Sequence, residues 1–368
     1  MNPFRFGEVV TAQYQCPRPA LLKTMLSFLR NGQKVLLQGE RRAGKTSFIC
    51  HAVAPALKQR LFLVSLWGIK TPEDLARQVY AALVRLRENS PIFRKAQRFL
   101  KTRLAANVDL GVLAAHTLPA SGGGPGVDVL EQLLDELYAE HKSSPVMAVW
   151  DEFQEVENIP DGNAVIGRLR NAIQHHSGMA HVFAGSDRNQ MHRIFNDPNS
   201  PFFKGAVTLD FGKIETEDLA AWIRQRFKPF SVTVTDETMK TIFDITDRVS
   251  GDVQQLCSAL WTVSKRGDTL RQEHLAGAFR EIWAYESRSY EAIVDDATAP
   301  QLRCLKALAK HPEVPPHGIA FAKVSGVLGA SSASRALNGL AGKSILTKTG
   351  ATYKFINPFF AEWLKTLD

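Results

Sequence analysis

The chain has 368 residues, with 45 Lys/Arg against 37 Asp/Glu and a net charge of +8. That length allows two or three domains and a sizeable core. No apolar run approaches a membrane span, Met1-Asn2-Pro3-Phe4-Arg5 lacks the apolar core of a signal peptide, and Cys16, Cys50, Cys257 and Cys304 show no metal spacing and no sign of an oxidising compartment, so the chain is expected to be cytoplasmic with no membrane partner.

The charge is uneven. Residues 301–368 hold nine Lys/Arg against three Asp/Glu, and Arg85 to Arg103 hold seven against one, so each region carries +6. Both suit an acidic partner such as nucleic acid, or are solvated faces.

Asn2-Pro3-Phe4 and Tyr14 to Arg18 read as loop. Leu21, Leu22, Met25 and Leu29 follow at helical spacing. A segment placed here either covers an adenine base or simply packs. Lys34 to Phe48 (K-V-L-L-Q-G-E-R-R-A-G-K-T-S-F) reads as strand, tight loop and helix start. Val35, Leu36 and Leu37 suit a strand buried on both faces. Gly39 to Thr46 then fits G-x-x-x-x-G-K-[ST], the phosphate loop. Its glycines let backbone N–H groups approach an anion at a helix N-terminus. The expected cradle is Gly39, Arg42, Ala43, Gly44, Lys45, Thr46 and Ser47, with the Thr46 hydroxyl on Mg²⁺ and Lys45 on the phosphates.

The first helix runs to Leu57, stopping near Pro55. Arg60 to Leu66 is a second buried strand, and Thr71-Pro72-Glu73-Asp74 opens a helix with a cap, a proline and two acids. Arg94, Arg98 and Lys101 share one face of a basic helix in 94–103, Pro119 to Gly126 is a flexible glycine-rich loop, and Val127 to Lys142 is a helix.

Val146 to Trp150 is an apolar strand ending in Asp151-Glu152. Asp151 suits a Mg²⁺ ligand, and Glu152 suits polarising a water that attacks the γ-phosphate. The helix Val165 to His175 ends in His175-His176. Adjacent helical residues diverge, and no carboxylate or cysteine completes a metal site. His181 to Ser186 is a strand ending in a small polar residue, placed to touch the γ-phosphate or the water, and Val207 to Leu209 is the last strand. Five strands with intervening helices imply a mostly parallel, doubly wound α/β sheet.

Residues 214–290 read as helical throughout, a small lid broken at Gly251-Asp252, and 291–300 as a linker. Three helices, marked by Leu302 to Leu308, Ile319 to Leu328 and Ser332 to Leu340, precede a hairpin Ile345 to Phe355 turning at Gly350, which describes a winged helix-turn-helix. The expected domains are 1–213, 214–290 and 301–368. In the recognition helix, Ser331 to Asn338, only Arg335 and Asn338 are candidate base readers, so phosphate contact is expected more than sequence readout.

On Asn2-Pro3-Phe4, Arg18, Gly39 to Ser47, Asp151-Glu152-Phe153-Gln154, Arg170, Gln174-His175-His176, Ala184-Gly185-Ser186, Pro201-Phe202-Phe203, Gln255-Leu256, Phe355, Asn357-Pro358-Phe359-Phe360 and Trp363-Leu364, the chain resembles the prokaryotic archaeal-type ATPases of the AAA+/STAND group of P-loop NTPases. The resemblance implies an AAA+/ASCE-type sheet, ATP and Mg²⁺ binding, slow hydrolysis and nucleotide-dependent assembly. It implies Lys45 and Thr46 on phosphate and metal, Asp151 and Glu152 on metal and water, and Ser186 as sensor. Lys204 stands where the family often carries arginine, leaving Arg188 or Arg193 as substitutes for a finger; Gly251-Asp252-Val253 replaces the family's Gly-x-Pro.

Three functions compete: an ATP-driven switch that self-associates or docks a protein partner, a DNA-binding ATPase of loader or mobile-element type, and a small-molecule kinase, against which the two appended modules argue.

Overall fold

A computed structural model describes residues 1–88, 125–160 and 162–367. The expected basic helix 94–103, with Arg94, Arg98 and Lys101, and most of the glycine-rich loop lie outside them. The chain forms two compact units, Val9–Lys213 and Met1–Glu8 with Ile214–Asp368.

In the first unit, α1 (Pro19–Arg30) precedes β1 (Val35–Gln38). Helix α2 begins as Lys45–Phe48, continues through a π-helical turn Ile49–Val53 and ends as Ala54–Leu57. Then come β2 (Arg60–Ser65), α3 (Pro72–Glu88), α4 (Pro125–Ser143), β3 (Val146–Asp151), α5 (Gly162–Gln174), β4 (Ala180–Gly185), α6 (Arg188–Asn196) and β5 (Val207–Asp210).

The five strands are all parallel, in the order β2-β3-β4-β1-β5. Strands β3 and β4 are buried on both faces but for the last residue of β3. Val35 and Leu37 of β1 join Met25, Ile49 and Val149 on one face. Leu36 joins Phe62, Trp150, Phe183 and Leu83 on the other. This two-residue alternation into two cores is why the strand is apolar throughout. Strand β4 lies between β1 and β3, so the loop after β1 and the acids after β3 flank the end of β4.

The second unit holds α7 (Thr216–Phe227), β6 (Thr233–Val234), α8 (Asp236–Thr246), α9 (Ser250–Val263), β7 (Thr269–Leu270) and α10 (Gln272–Asp295). It is not helical throughout: β6 and β7 pair in parallel. Nor does Gly251-Asp252 break a helix, since both lie in the first turn of α9. The break falls at Asp247 and Arg248, both left-handed, and the Arg248 guanidinium is anchored on Ile214 O at 3.1 Å and Thr216 Oγ1 at 3.0 Å.

The expected linker 291–300 is instead the last turn of α10 and the cap of α11 (Ala299–Lys310). Thr298 and Gln301 form a capping box, with proline inside the start. The Thr-Ala-Pro sequence that reads as linker is N-terminal helix chemistry. Next come α12 (Gly318–Ser325), α13 (Ala330–Gly342), the antiparallel hairpin β8 (Leu346–Thr349) and β9 (Thr352–Phe355), and α14 (Pro358–Leu364). Gly350, at φ +61°, makes the turn.

A half-buried polar knot ties these helices together. Gln255 Nε2 donates to Glu286 Oε1 at 2.5 Å, Asn357 Nδ2 donates to Glu286 Oε2 at 2.9 Å, and the Tyr290 hydroxyl donates to the same carboxylate. Asn357 Oδ1 meanwhile caps α14.

Candidate functional site

The loop between β1 and α2 is shaped by three special residues. Gly39 is buried, and a Cβ there would stand 2.7 Å from Phe211 Cβ. Gly44 sits at φ +96° and Arg42 at φ +60°. Gly39 is therefore excluded from bearing a side chain by packing, and Gly44 by its backbone. Glu40, Arg41 and Arg42 are exposed while Ala43, Lys45 and Ser47 are buried. The first-turn N–H groups of α2 have no carbonyl four residues back within the helix and face the loop. The π-helical turn that follows is a feature often found at functional sites.

Lys45 is 5% exposed, and its Nζ donates to Gly39 O at 2.8 Å and Glu40 O at 2.9 Å. Burial lowers its pKa from the ordinary lysine value, against the upward pull of Glu152 and Asp151. Thr46 Oγ1 donates to Asp151 Oδ2 at 2.7 Å, joining loop to acidic strand. Burial raises the Asp151 pKa, partly offset by the Thr46 hydroxyl and reinforced by the Glu152 charge. A hydroxyl and a carboxylate converging this closely are hard oxygen donors of the kind Mg²⁺ takes beside phosphate and water, so the residues fit that ion.

Glu152 follows the strand in a left-handed conformation, φ +52°. Its Oε2 accepts from Ser186 Oγ at 2.7 Å and from Gln154 Nε2 at 2.6 Å. Gln154 also reaches Ser186 Oγ at 3.5 Å and is 2% exposed. Thus Lys45, Thr46, Asp151, Glu152 and Ser186, predicted from separate segments, come together across the ends of β1, β3 and β4. The Ser47 side chain and carbonyl are engaged within the protein: its Oγ accepts from Val10 N at 3.0 Å, and its carbonyl accepts from Gln15 Nε2 at 2.9 Å. The segment ahead of the loop is further tied by Arg18, whose guanidinium lies 4.0 Å from the Phe211 ring centroid and donates to Phe211 O at 2.5 Å.

Gln154 carried no assigned role in the sequence; only its position two residues past Glu152 hinted at one. Of the substitute fingers, Arg188 pairs with Asp210 at 3.0 Å and Arg193 with Glu157 at 2.6 Å. Lys204 Nζ lies 5.2 Å from the Phe203 ring centroid. Among the described residues no group of three or more His, Cys, Asp or Glu is placed to hold a metal, His175-His176 included. Nor is any described helix long and apolar enough to cross a membrane.

Part of the winged-helix charge is paired within the second unit. Lys354 pairs with Asp247, Lys343 with Asp296 and Lys365 with Glu362. Asn338, a candidate base reader, has its Oδ1 taken by the Tyr353 hydroxyl at 2.7 Å and Lys348 Nζ at 3.0 Å. That amide ties α13 to the hairpin. Arg335 remains on the exposed face, 3.4 Å from Ser332 Oγ.

No curated protein matches the chain by sequence. A family model described as "Probable winged helix domain" matches residues 288–366. Among solved structures, a Walker-type ATPase of Pyrococcus abyssi is similar with TM-score 0.64 and 16% identity, covering 96% of this chain and 97% of that one. The ORC1 protein of Aeropyrum pernix in complex with DNA gives 0.52 and 15%, covering 98% and 96%. The ORC2 protein of the same organism, in ADPNP–ADP complexes, gives 0.52 and 14%, with the same coverage. The parallel sheet in its observed order, the helical segment after it and the terminal module make this chain's fold that of P-loop ATPases carrying a C-terminal winged helix.

Proposed function

We propose that this chain binds ATP with Mg²⁺, hydrolyses it slowly, and uses its nucleotide state to control self-association or the docking of a partner. The observation that carries the reading is the convergence of Thr46 on Asp151 and of Ser186 on Glu152, each at 2.7 Å. Lys45 and the N–H groups of the loop and first turn of α2 hold the phosphates. Thr46 and Asp151 would hold the ion, whose charge would offset that of the phosphate oxygens. Glu152 accepts the proton of the attacking water, and Ser186 and Gln154 orient its carboxylate. Gly39, Arg42, Ala43, Gly44 and Ser47 shape the cradle. In this reading 1–213 is the ATPase domain, 214–290 the lid and 301–368 the docking domain, with Met1–Glu8 packed on the second unit.

ATP turnover of wild type and Glu152→Gln tests this. Loss of a general base lowers the rate by about 10²-fold or more. Equal rates would remove the catalytic role.

A second reading is supported by the winged-helix match and by the ORC1–DNA neighbour: a DNA-binding ATPase whose winged helix contacts phosphates. Duplex DNA binding should then weaken steeply between low and moderate salt, because cations release condensed counterions. Binding that is absent or indifferent to salt points instead to protein docking.

A further inference from the structure

Trp67 is the first exposed residue after β2, and the residue is 58% exposed. Its neighbour Leu66 is fully buried, and Leu66 N donates to Asp151 O at 2.9 Å. The backbone beside Trp67 is thus fastened to the strand that delivers Asp151 and Glu152. The ring itself anchors no core. What lies over it is the Arg41 guanidinium, with Cζ 4.1 Å from the ring centroid.

Arg41 belongs to the phosphate loop, between Gly39 and Gly44, and is exposed. It is near enough to Lys45 for its charge to oppose that of the lysine. The loop Gly39 to Thr46 thus carries three cations, Arg41, Arg42 and Lys45, against one acid, Glu40. Lys45 is committed inward. Arg41 is held at the rim by a cation–π contact, which is weaker than a charge-assisted bond to a phosphate oxygen.

We infer that Arg41 is a second side-chain cation for the terminal phosphate of a nucleoside triphosphate, and that Trp67 is the platform on which it rests until that phosphate arrives. This rests on the ATP-binding reading and adds to it a residue that distinguishes triphosphate from diphosphate. A diphosphate satisfies the loop N–H groups and Lys45 and leaves Arg41 on the ring. The extra charge of a third phosphate draws the guanidinium inward and bares the indole. Because the segment bearing Trp67 continues from a strand hydrogen-bonded to β3, the ring reports the occupancy of the site from its edge.

The test uses the full chain. Binding of ADP and of a non-hydrolysable ATP analogue, each with Mg²⁺, is measured by calorimetry for wild type, Arg41→Ala, Arg41→Lys and Trp67→Phe. The Trp67 fluorescence is the difference between wild type and Trp67→Phe. The analogue should change that difference signal, while ADP should leave it unchanged. Arg41→Ala should weaken the analogue about tenfold and ADP less than twofold, with Arg41→Lys recovering part of the loss. Equal effects on both nucleotides, no effect on either, or a Trp67 signal that does not separate them would overturn the inference while leaving ATP binding intact. Failure of wild type to bind either nucleotide would overturn both. Both side chains are exposed, so a melting curve for each variant should match wild type; a lowered one would mean the pair braces the fold instead.

Discussion

Glu152 combines a left-handed backbone with a carboxylate held from two sides. A non-glycine residue in that conformation costs about 1 kcal/mol, so the turn persists because its surroundings hold it. Gln154 is the less obvious of the two partners. Its amide Nε2 is committed to Glu152, while its buried Oε1 has no hydrogen-bond partner among the described residues. Gln154→Leu keeps the volume and removes both atoms. Stability should change little, since an orphaned acceptor disappears along with a bond. Turnover should fall about tenfold, from the loss of roughly 1.5 kcal/mol of charged hydrogen bonding, with ADP affinity unchanged. Unaltered turnover would leave Gln154 a packing residue. Asp151 and Glu152 could be read from an apolar strand that ends in acids. The use of Gln154 could not, because it depends on how the turn after β3 meets the end of β4.

At the scale of elements, β3, β4 and α4 enclose a chain of rings. Trp150 Nε1 donates to His181 Nδ1 at 3.3 Å, and His181 Nε2 lies 3.3 Å from His176 Nδ1. With His181 Nδ1 accepting, His181 Nε2 carries the proton and donates to His176. Tyr138 of α4 stacks on His176 at 4.8 Å and on His141 at 6.1 Å. Burial, helped by the charges of Lys34, His141, His175 and Lys142, brings the His176 pKa down to about 4, and burial with His176, Lys34 and His141 holds His181 well below its ordinary value. Both are neutral in the folded state. The unfolded chain takes up their protons below about pH 6.5, while in the folded chain His176 does so only near pH 4 and His181 is held well below its ordinary range. Stability therefore declines with falling pH across that window. His176→Phe keeps the stack on Tyr138 and removes one site. In urea unfolding at pH 7 and pH 5, wild type should lose roughly 1–2 kcal/mol more than this variant on acidification. Equal losses would show that His176 is not held neutral. The sequence showed only an adjacent histidine pair, and its proper reading needed the sheet register that brings His181 beneath it.

At the scale of the molecule, the chain passes from one compact unit to the other at Glu8–Val9 and returns at Lys213–Ile214. Met1–Glu8 are structural members of the second unit. Phe4 is buried between Trp222 and Phe227, at ring-centroid distances of 5.9 and 5.0 Å. Asn2 Nδ2 donates to Ser258 Oγ at 2.8 Å. Phe4→Ala should destabilise the Ile214–Asp368 unit by about 3 kcal/mol and leave Val9–Lys213 unaffected. Hydrogen exchange resolved by segment would register this as faster exchange in α7 and α9 alone. Faster exchange in β1, β3 and β4 as well would mean that the two units unfold as one.

The primary structure determined the features whose cause is local. A buried parallel strand must be apolar, a phosphate loop needs glycine and lysine at set spacing, and a hairpin needs a residue such as Gly350 at its turn. Each can be read within about ten positions of chain. Tertiary structure decided what depends on distant partners: β4 set between β1 and β3, Gln154 closing on Glu152, Asn338 given to the hairpin rather than left open, and Arg41 lying over Trp67. These depend on strand order and on which helix face meets which sheet, and no local pattern encodes them.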